Sequence, residues 1–224
     1  MSTHEQKQPR ASTRVLLAAA LVLAVVGLAG CRTAVYQQGD RAADSSRTAA
    51  LEVQTQSQTL EAAMATLNNL VCQPATDLKP QFHSFSAAMD RLVAAAGRGG
   101  VTGSHLVRSN SAYFAAWNNQ LTTITNAEVR SRNEARRTEV SNQFNAVHQQ
   151  YAQAQGDLWS LVDYLQDIRR ALSTDLTAGG VEAVKPLVST GSANASKVQS
   201  GLTQSRANLS ALSTAMSSAG GPGG

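Results

Sequence analysis

Val140, Phe144, Val147, Tyr151, Ala154, Leu158, Leu161, Leu165, Ile168 and Leu172 follow one another in alternating steps of four and three. An α-helix makes a turn every 3.6 residues, so this spacing lays all ten on one stripe, whereas a strand would need alternation in twos. Two further stripes of the same kind occur. One runs through Tyr36, Gly39, Ala43, Ser46, Ala50, Val53, Ser57, Leu60, Met64, Leu67 and Val71, and the other through Val188, Gly191, Ala195, Val198, Leu202, Ser205, Leu209, Leu212 and Met216. The chain therefore reads as all-α: an elongated antiparallel helical bundle, coiled-coil-like, of three to four long helices. Only 4% of residues are aromatic, which favours narrow apolar seams over a thick core. The small side chains in the first half of the first seam bury little area, so that half is expected to pack weakly.

Boundaries follow from the residues that interrupt these stripes. Pro74 in "CQPATD" stops the first helix, and Thr76 or Asp77 can cap a second one running from about Asp77 to Ala96. "GRGGVTGS", with four glycines in seven residues, reads as a hinge. From Ser104 to about Leu172 the pattern stays helical, predicting a single rod of about 100 Å. It opens with Tyr113, Phe114, Trp117, Leu121 and Ile124, and its two seams fall out of phase within "NAEVRSRNEARRTEV", a stutter that would unwind a coiled coil locally. "STDLTAGG" ends the rod, and Pro186 lies near the start of the last helix. Two arrangements fit. In the first, three helices form an antiparallel bundle of about 50 Å, with the second helix and the early rod making a hairpin that points away from the start of the first helix. In the other, all segments fold into a compact four-helix bundle.

The first thirty residues carry a different message. Lys7, Arg10 and Arg14 precede "VLLAAALVLAVVGL", about fourteen apolar residues, a length suited to a signal-peptide core and short of the roughly twenty needed to span a bilayer. The run ends in Leu28, Ala29, Gly30 and Cys31. This resembles the lipobox of bacterial lipoproteins, in which the cysteine is acylated and becomes the first residue of the mature chain. The implied organisation is a signal peptide over 1–30, a lipidated anchor and linker over 31–35, a helical domain over 36–218 and a glycine-rich tail over 219–224. Arg32 stands where an aspartate retains many such proteins in the inner membrane, so the resemblance implies an outer-membrane address facing the periplasm.

Residues 1–30 hold three of the 19 basic side chains and one of the 15 acidic ones, so the formal charge of +4 falls to +2 without them. Nucleic-acid binding needs a concentrated basic face, and that partner is not expected. Cys72 is the one other cysteine. Once Cys31 is acylated it lacks an intramolecular partner, leaving either a small buried side chain or an intermolecular disulfide.

Catalytic constellations are not evident. The glycine run is followed by no lysine and preceded by no strand, as a phosphate-binding loop would require. His83, His105 and His148 stand apart from any Cys, Asp or Glu at metal-site spacing, although His83 and His105 could meet if a hinge between them closed. No serine occupies a nucleophile elbow, and Asp163 and Asp167 have a spacing common in polar helices. No metal, cofactor or enzymatic activity is expected. The strongest binding candidate is the group Arg130, Arg132, Arg136 and Arg137, able to engage phosphate head groups, an anionic wall polymer or an acidic partner. Ion pairs from Glu128 to Arg132 and from Glu134 to Arg137 would instead make it a solvated helix face. Trp159, two positions off the seam, could meet a protein partner.

The stretch from "FAAWNNQL" through "NAEVRSRNEARRTEVSNQFNAVHQQYAQAQGDLWSLVDYLQDIRRALSTDLTAGGVEAV", with the earlier "LEAAMATLNNL", resembles the bacterial lipoprotein family known as domain of unknown function 2959, or DUF2959. Trp117 and Leu121, the Asn126 to Arg130 turn and Tyr151 carry the likeness. The resemblance implies a lipobox joined to a long-helix domain and supplies no catalytic residues. Together these readings lead to a non-enzymatic, lipid-anchored envelope protein acting by contact as a spacer, scaffold or adaptor. It would be held to the membrane through Cys31, with a second copy or another envelope protein as partner. The alternative is a module that binds anionic lipid head groups or wall polymer through the four arginines.

Overall fold

The computed structural model describes residues 35–218, which fold as four long helices: α1 (Val35–Cys72), α2 (Lys79–Leu121), α3 (Ala127–Thr174) and α4 (Ala178–Met216). The proposed signal peptide, Cys31 and the glycine-rich tail lie outside the described residues. Both α1 and α3 pack against α2 and α4, so α1 faces α3 across one diagonal of a four-helix bundle. Successive helices run antiparallel. At one end Gly39 of α1 lies beside Tyr113 of α2 and the Met216 carbonyl of α4, and at the other Gln81 of α2 bonds Asn69 of α1. The all-α bundle read from the seams is the fold observed, and the compact four-helix arrangement replaces the three-helix one.

The seams form its core. In α3 every seam residue from Val140 to Leu172 is buried except Val147, which is half-buried, and in α4 every seam residue is buried. In α1 the exceptions are Tyr36, exposed at the helix start, and half-buried Ser57. Side-chain size is distributed unevenly along the bundle. Phe85, Leu60, Leu67, Leu70, Met89, Leu92, Leu158, Leu165, Ile168 and Leu172 are fully buried toward the Cys72 end. Toward Val35 the α1 face consists of Gly39, Ala42, Ala43, Ser45, Ser46, Ala49 and Ala50. The same half buries Asn110 and Ser205, whose Oδ1 and Oγ have no hydrogen-bond partner.

Three boundaries differ from the sequence reading. The glycine run does not break the chain: Gly97, Gly99, Gly100 and Gly103 all lie inside α2. Packing overrides propensity there because Gly99 allows a close approach, where a Cβ would overlap the Gln155 amide and stand 2.7 Å from Gln56 Nε2. The expected rod breaks instead at residues 122–126, so the stutter is a helix boundary. The two seams are out of phase because they belong to different helices. Asn126 caps α3 by accepting a 3.0 Å bond from the Val129 amide, satisfying a donor the helix leaves free. Finally, α4 already starts at Ala178 and contains Pro186; α2 starts at Lys79 with Leu78 at the cap position and no side-chain cap bond, so neither Thr76 nor Asp77 takes the expected cap role, although Asp77 accepts from the Lys79 amide.

A polar layer crosses the middle of the bundle. Gln56 and Gln155 exchange bonds of 2.9 and 2.7 Å along the diagonal, and Gln56 also donates to the Ala95 carbonyl at 3.2 Å. Beside them the Tyr151 hydroxyl donates to the Gly99 carbonyl at 2.7 Å, and burial pushes that hydroxyl well above its ordinary pKa of 10.0, aided by the negative charge of Glu52. Replacing Gln155 with leucine takes two bonds from the fully buried Gln56 amide and leaves its Oε1 without a partner, with only the Ala95 carbonyl still accepting from its Nε2. The expected cost is about 1–3 kcal/mol by urea denaturation. Much of it should return in the Gln56→Leu/Gln155→Leu double variant, where neither amide remains; equal costs for single and double variants would show that the pair is not coupled.

Candidate functional site

The four arginines occupy the first three turns of α3, at the bundle end that carries Val35. Residues 127–139 make few burying contacts and the first buried residue of α3 is Val140, because this part of the helix runs past its neighbours. Phe114 of α2 meets Phe144 of α3 with ring centroids 6.0 Å apart. From that level α3 continues seventeen residues to Ala127, about 25 Å. On the other side Gly39, level with Tyr113, is followed outward by only the four residues to Val35, about 6 Å. By this count the start of α3 overhangs the start of α1 by about 20 Å and the end of α2, eight residues beyond Tyr113, by about 6 Å. The expected hairpin exists, but it projects at the Val35 end, opposite to the direction read from the sequence, since its turn is at 122–126.

Within the overhang the arginines divide into two pairs. Arg132 holds Glu128 at 2.8 Å and Arg136 holds Glu139 at 2.8 Å, both on the exposed surface. The first pair is the one expected; the second replaces the expected contact of Glu134 with Arg137. Arg130 and Arg137 turn instead toward α2, where they line an open groove of 670 Å³ with Asn118, Leu121, Thr122, Glu134 and Thr138. Arg130 donates to the Ile124 carbonyl at 3.4 Å. The Arg137 guanidinium lies 5.8 Å from the Phe114 ring centroid, a cation–π distance, and its Nε is buried without a hydrogen-bond partner.

The aromatic group fixes this geometry. Tyr113 lies 5.2 Å from Trp117 and 5.4 Å from Phe114, and Phe144 stacks on His148 at 5.9 Å. Desolvation raises the Tyr113 hydroxyl above its ordinary pKa, with Arg136 acting against the shift and Asp40 with it. Asp40 accepts from the Ser218 amide at 2.7 Å and from its hydroxyl at 2.8 Å, bonds that lower its pKa and tie the end of α4 to α1. Sequence spacing identified the arginines and the aromatic anchor. It could not reveal Asn118 and Thr122 as groove partners, because they face Arg130 and Arg137 only across a turn that the helical pattern concealed.

Other sequence candidates are dispersed. His83 and His105 belong to one continuous helix, about 33 Å apart along its axis, so no hinge brings them together. Asp167 pairs with Arg170, while Asp163 is exposed. Cys72 is exposed at the end of α1, not buried, and occupies the end of the bundle remote from the arginines. Trp159 is 38% exposed. Among the described residues no three His, Cys, Asp or Glu side chains are grouped to hold a metal ion, and no helix is long and apolar enough to cross a membrane. No curated protein and no solved structure matches the chain. Residues 32–218 do match the family described as a protein of unknown function (DUF2959), and the chain belongs to that family.

Proposed function

We propose that this protein is a lipid-anchored envelope component that works by contact, as a spacer, scaffold or adaptor, without catalysing a reaction. The observation that carries the reading is the junction of "LAGC" with a bundle whose first helix starts four residues after Cys31. A chain of this kind joins an elongated surface to its anchor through a short linker: α1 alone measures about 57 Å. The polar, helix-built exterior suits attachment of other envelope proteins, and exposed Trp159 is an anchor point of the kind such contacts use. Exposed Cys72 offers a second copy a disulfide partner. The favoured address is the outer membrane, facing the periplasm.

The test of the anchor is fractionation of cells expressing the full chain. Cys31→Ser is expected to move the protein from detergent-extracted membrane to the soluble fraction, with loss of acyl mass from the wild-type N-terminal peptide. A wild-type chain that is soluble, or an unmodified Cys31, would end the anchor reading. Crosslinking in cells followed by affinity capture reads the contact role, which predicts a single envelope protein in near-equal amount. A second reading, a module for anionic lipid head groups or wall polymer, is favoured by the groove beside Arg137, whose Nε has no partner.

A further inference from the structure

The two ends of the bundle differ in charge. Residues 35–50, 103–145 and 202–218, which form the Val35 end, carry eight arginines against five carboxylates. Residues 58–92 and 159–190, at the Cys72 end, carry five basic side chains against seven acidic ones. The positive end is the one that receives the chain from Cys31. Three residues lie between Cys31 and Val35, a reach of at most about 14 Å, while the arginine-bearing start of α3 projects about 20 Å past Val35 in the same sense. A membrane holding Cys31 therefore comes within reach of the hairpin.

We infer, resting on the lipid-anchor reading above, that the arginine-bearing overhang docks on the anionic phospholipid head groups of the membrane that holds Cys31. The bundle then stands on its positive end, with Cys72 directed away. Phosphodiester oxygens suit what the overhang presents: Arg130 and the Arg137 guanidinium lining an open groove, with Thr122, Thr138 and Asn118 as further hydrogen-bonding groups. Glu128 and Glu139 each occupy one arginine and Glu134 shares the groove, so the surface attracts only modestly by itself. The anchor compensates, because a tethered surface meets head groups at high effective concentration. An anionic bilayer further concentrates each basic side chain near its plane, an effect that fades with salt.

Residues 35 onward form a compact unit with its own core, which allows the surface to be tested apart from acylation. The unit is tethered by an N-terminal hexahistidine to nickel-chelating lipid in phosphatidylcholine vesicles, with or without phosphatidylglycerol. One fluorophore is placed at exposed Ser131 (Ser131→Cys in a Cys72→Ser background) and, in a second sample, on native Cys72. A head-group quencher then reports which end lies on the bilayer. Phosphatidylglycerol is expected to increase quenching at position 131 about threefold or more and to leave position 72 unchanged. The increase should vanish in Arg130→Gln/Arg132→Gln/Arg136→Gln, a variant that keeps Arg137 on Phe114, and in the unaltered protein at ~0.5 M salt. Equal quenching at both positions, indifference to phosphatidylglycerol, or an unchanged response in the variant and in salt would each overturn docking. So would arginine-dependent sedimentation with isolated wall polymer in place of a lipid response. Since the histidine tether replaces Cys31, a negative result here condemns the docking surface, and a negative Cys31→Ser fractionation condemns the anchor.

Discussion

Phe85→Ala should lower the unfolding free energy by about 3–5 kcal/mol, among the largest losses available to a single truncation in this chain. Phe85 is fully buried in α2, in the half of the bundle where most large core side chains sit. Removing its ring takes away the transfer free energy of a phenyl group and leaves a cavity that four packed helices cannot easily close. Urea midpoints with unchanged m-value measure it. A loss under about 1 kcal/mol would mean that the core is looser than its burial indicates. The same asymmetry has a dynamic counterpart. The Val35 half is held by alanine, serine and glycine on α1 and buries polar groups with no partner, so amide hydrogens of residues 39–50 should exchange faster than those of residues 60–71.

Gly99→Leu should cost about 2–6 kcal/mol, combining overpacking with disruption of the Gln56–Gln155 pair. No rotamer of the new side chain avoids the problem, because the clash begins at Cβ. If the glutamine amides are driven apart, Gln56 stays buried with its hydrogen-bonding groups unmatched. The neighbouring glycines supply the contrast. At Gly97 and Gly100 a Cβ meets nothing within 4 Å, and alanine there should stabilise the helix by up to about 1 kcal/mol. Opposite signs within three residues in one thermal-denaturation series would establish close approach as the function of Gly99. Stabilisation at all three positions would refute it.

These glycines show why the helix boundaries were harder to read than the helices. Periodicity reports which residues share a face, and the faces of α1, α3 and α4 were legible to within a residue or two. Local propensity is a weaker guide where tertiary contact decides. Four glycines argue against a helix in isolation, yet in α2 two of them, Gly99 and Gly103, face neighbouring side chains that need the space. At residues 122–126 the opposite occurred: no glycine or proline marks the turn, and a run of threonines and isoleucine ends α2 before Asn126 starts α3. Missing that turn reversed the direction of the hairpin, and it hid the partners of Arg130 and Arg137. Their clustering was visible in the sequence. Its position at the Val35 end was not, since it depends on how many helices the chain makes between Val35 and Arg130.

The diagonal glutamine pair restricts how such a chain can change its length. A seam of alanines and serines has many nearly equivalent alignments, and a slip of seven residues returns an equally small side chain to each site. Only one alignment brings Gln56, Gln155 and the Ala95 carbonyl together. Sliding one helix past the others would strand the Gln56 amide in the interior, at about 1–3 kcal/mol, and break its bonds to half-buried Gln155. A lone insertion in one helix is thus penalised from the point of insertion back to the glutamine layer. Seven residues added to each of the four helices, all on the same side of that layer, would leave it intact and lengthen the bundle by about 10 Å.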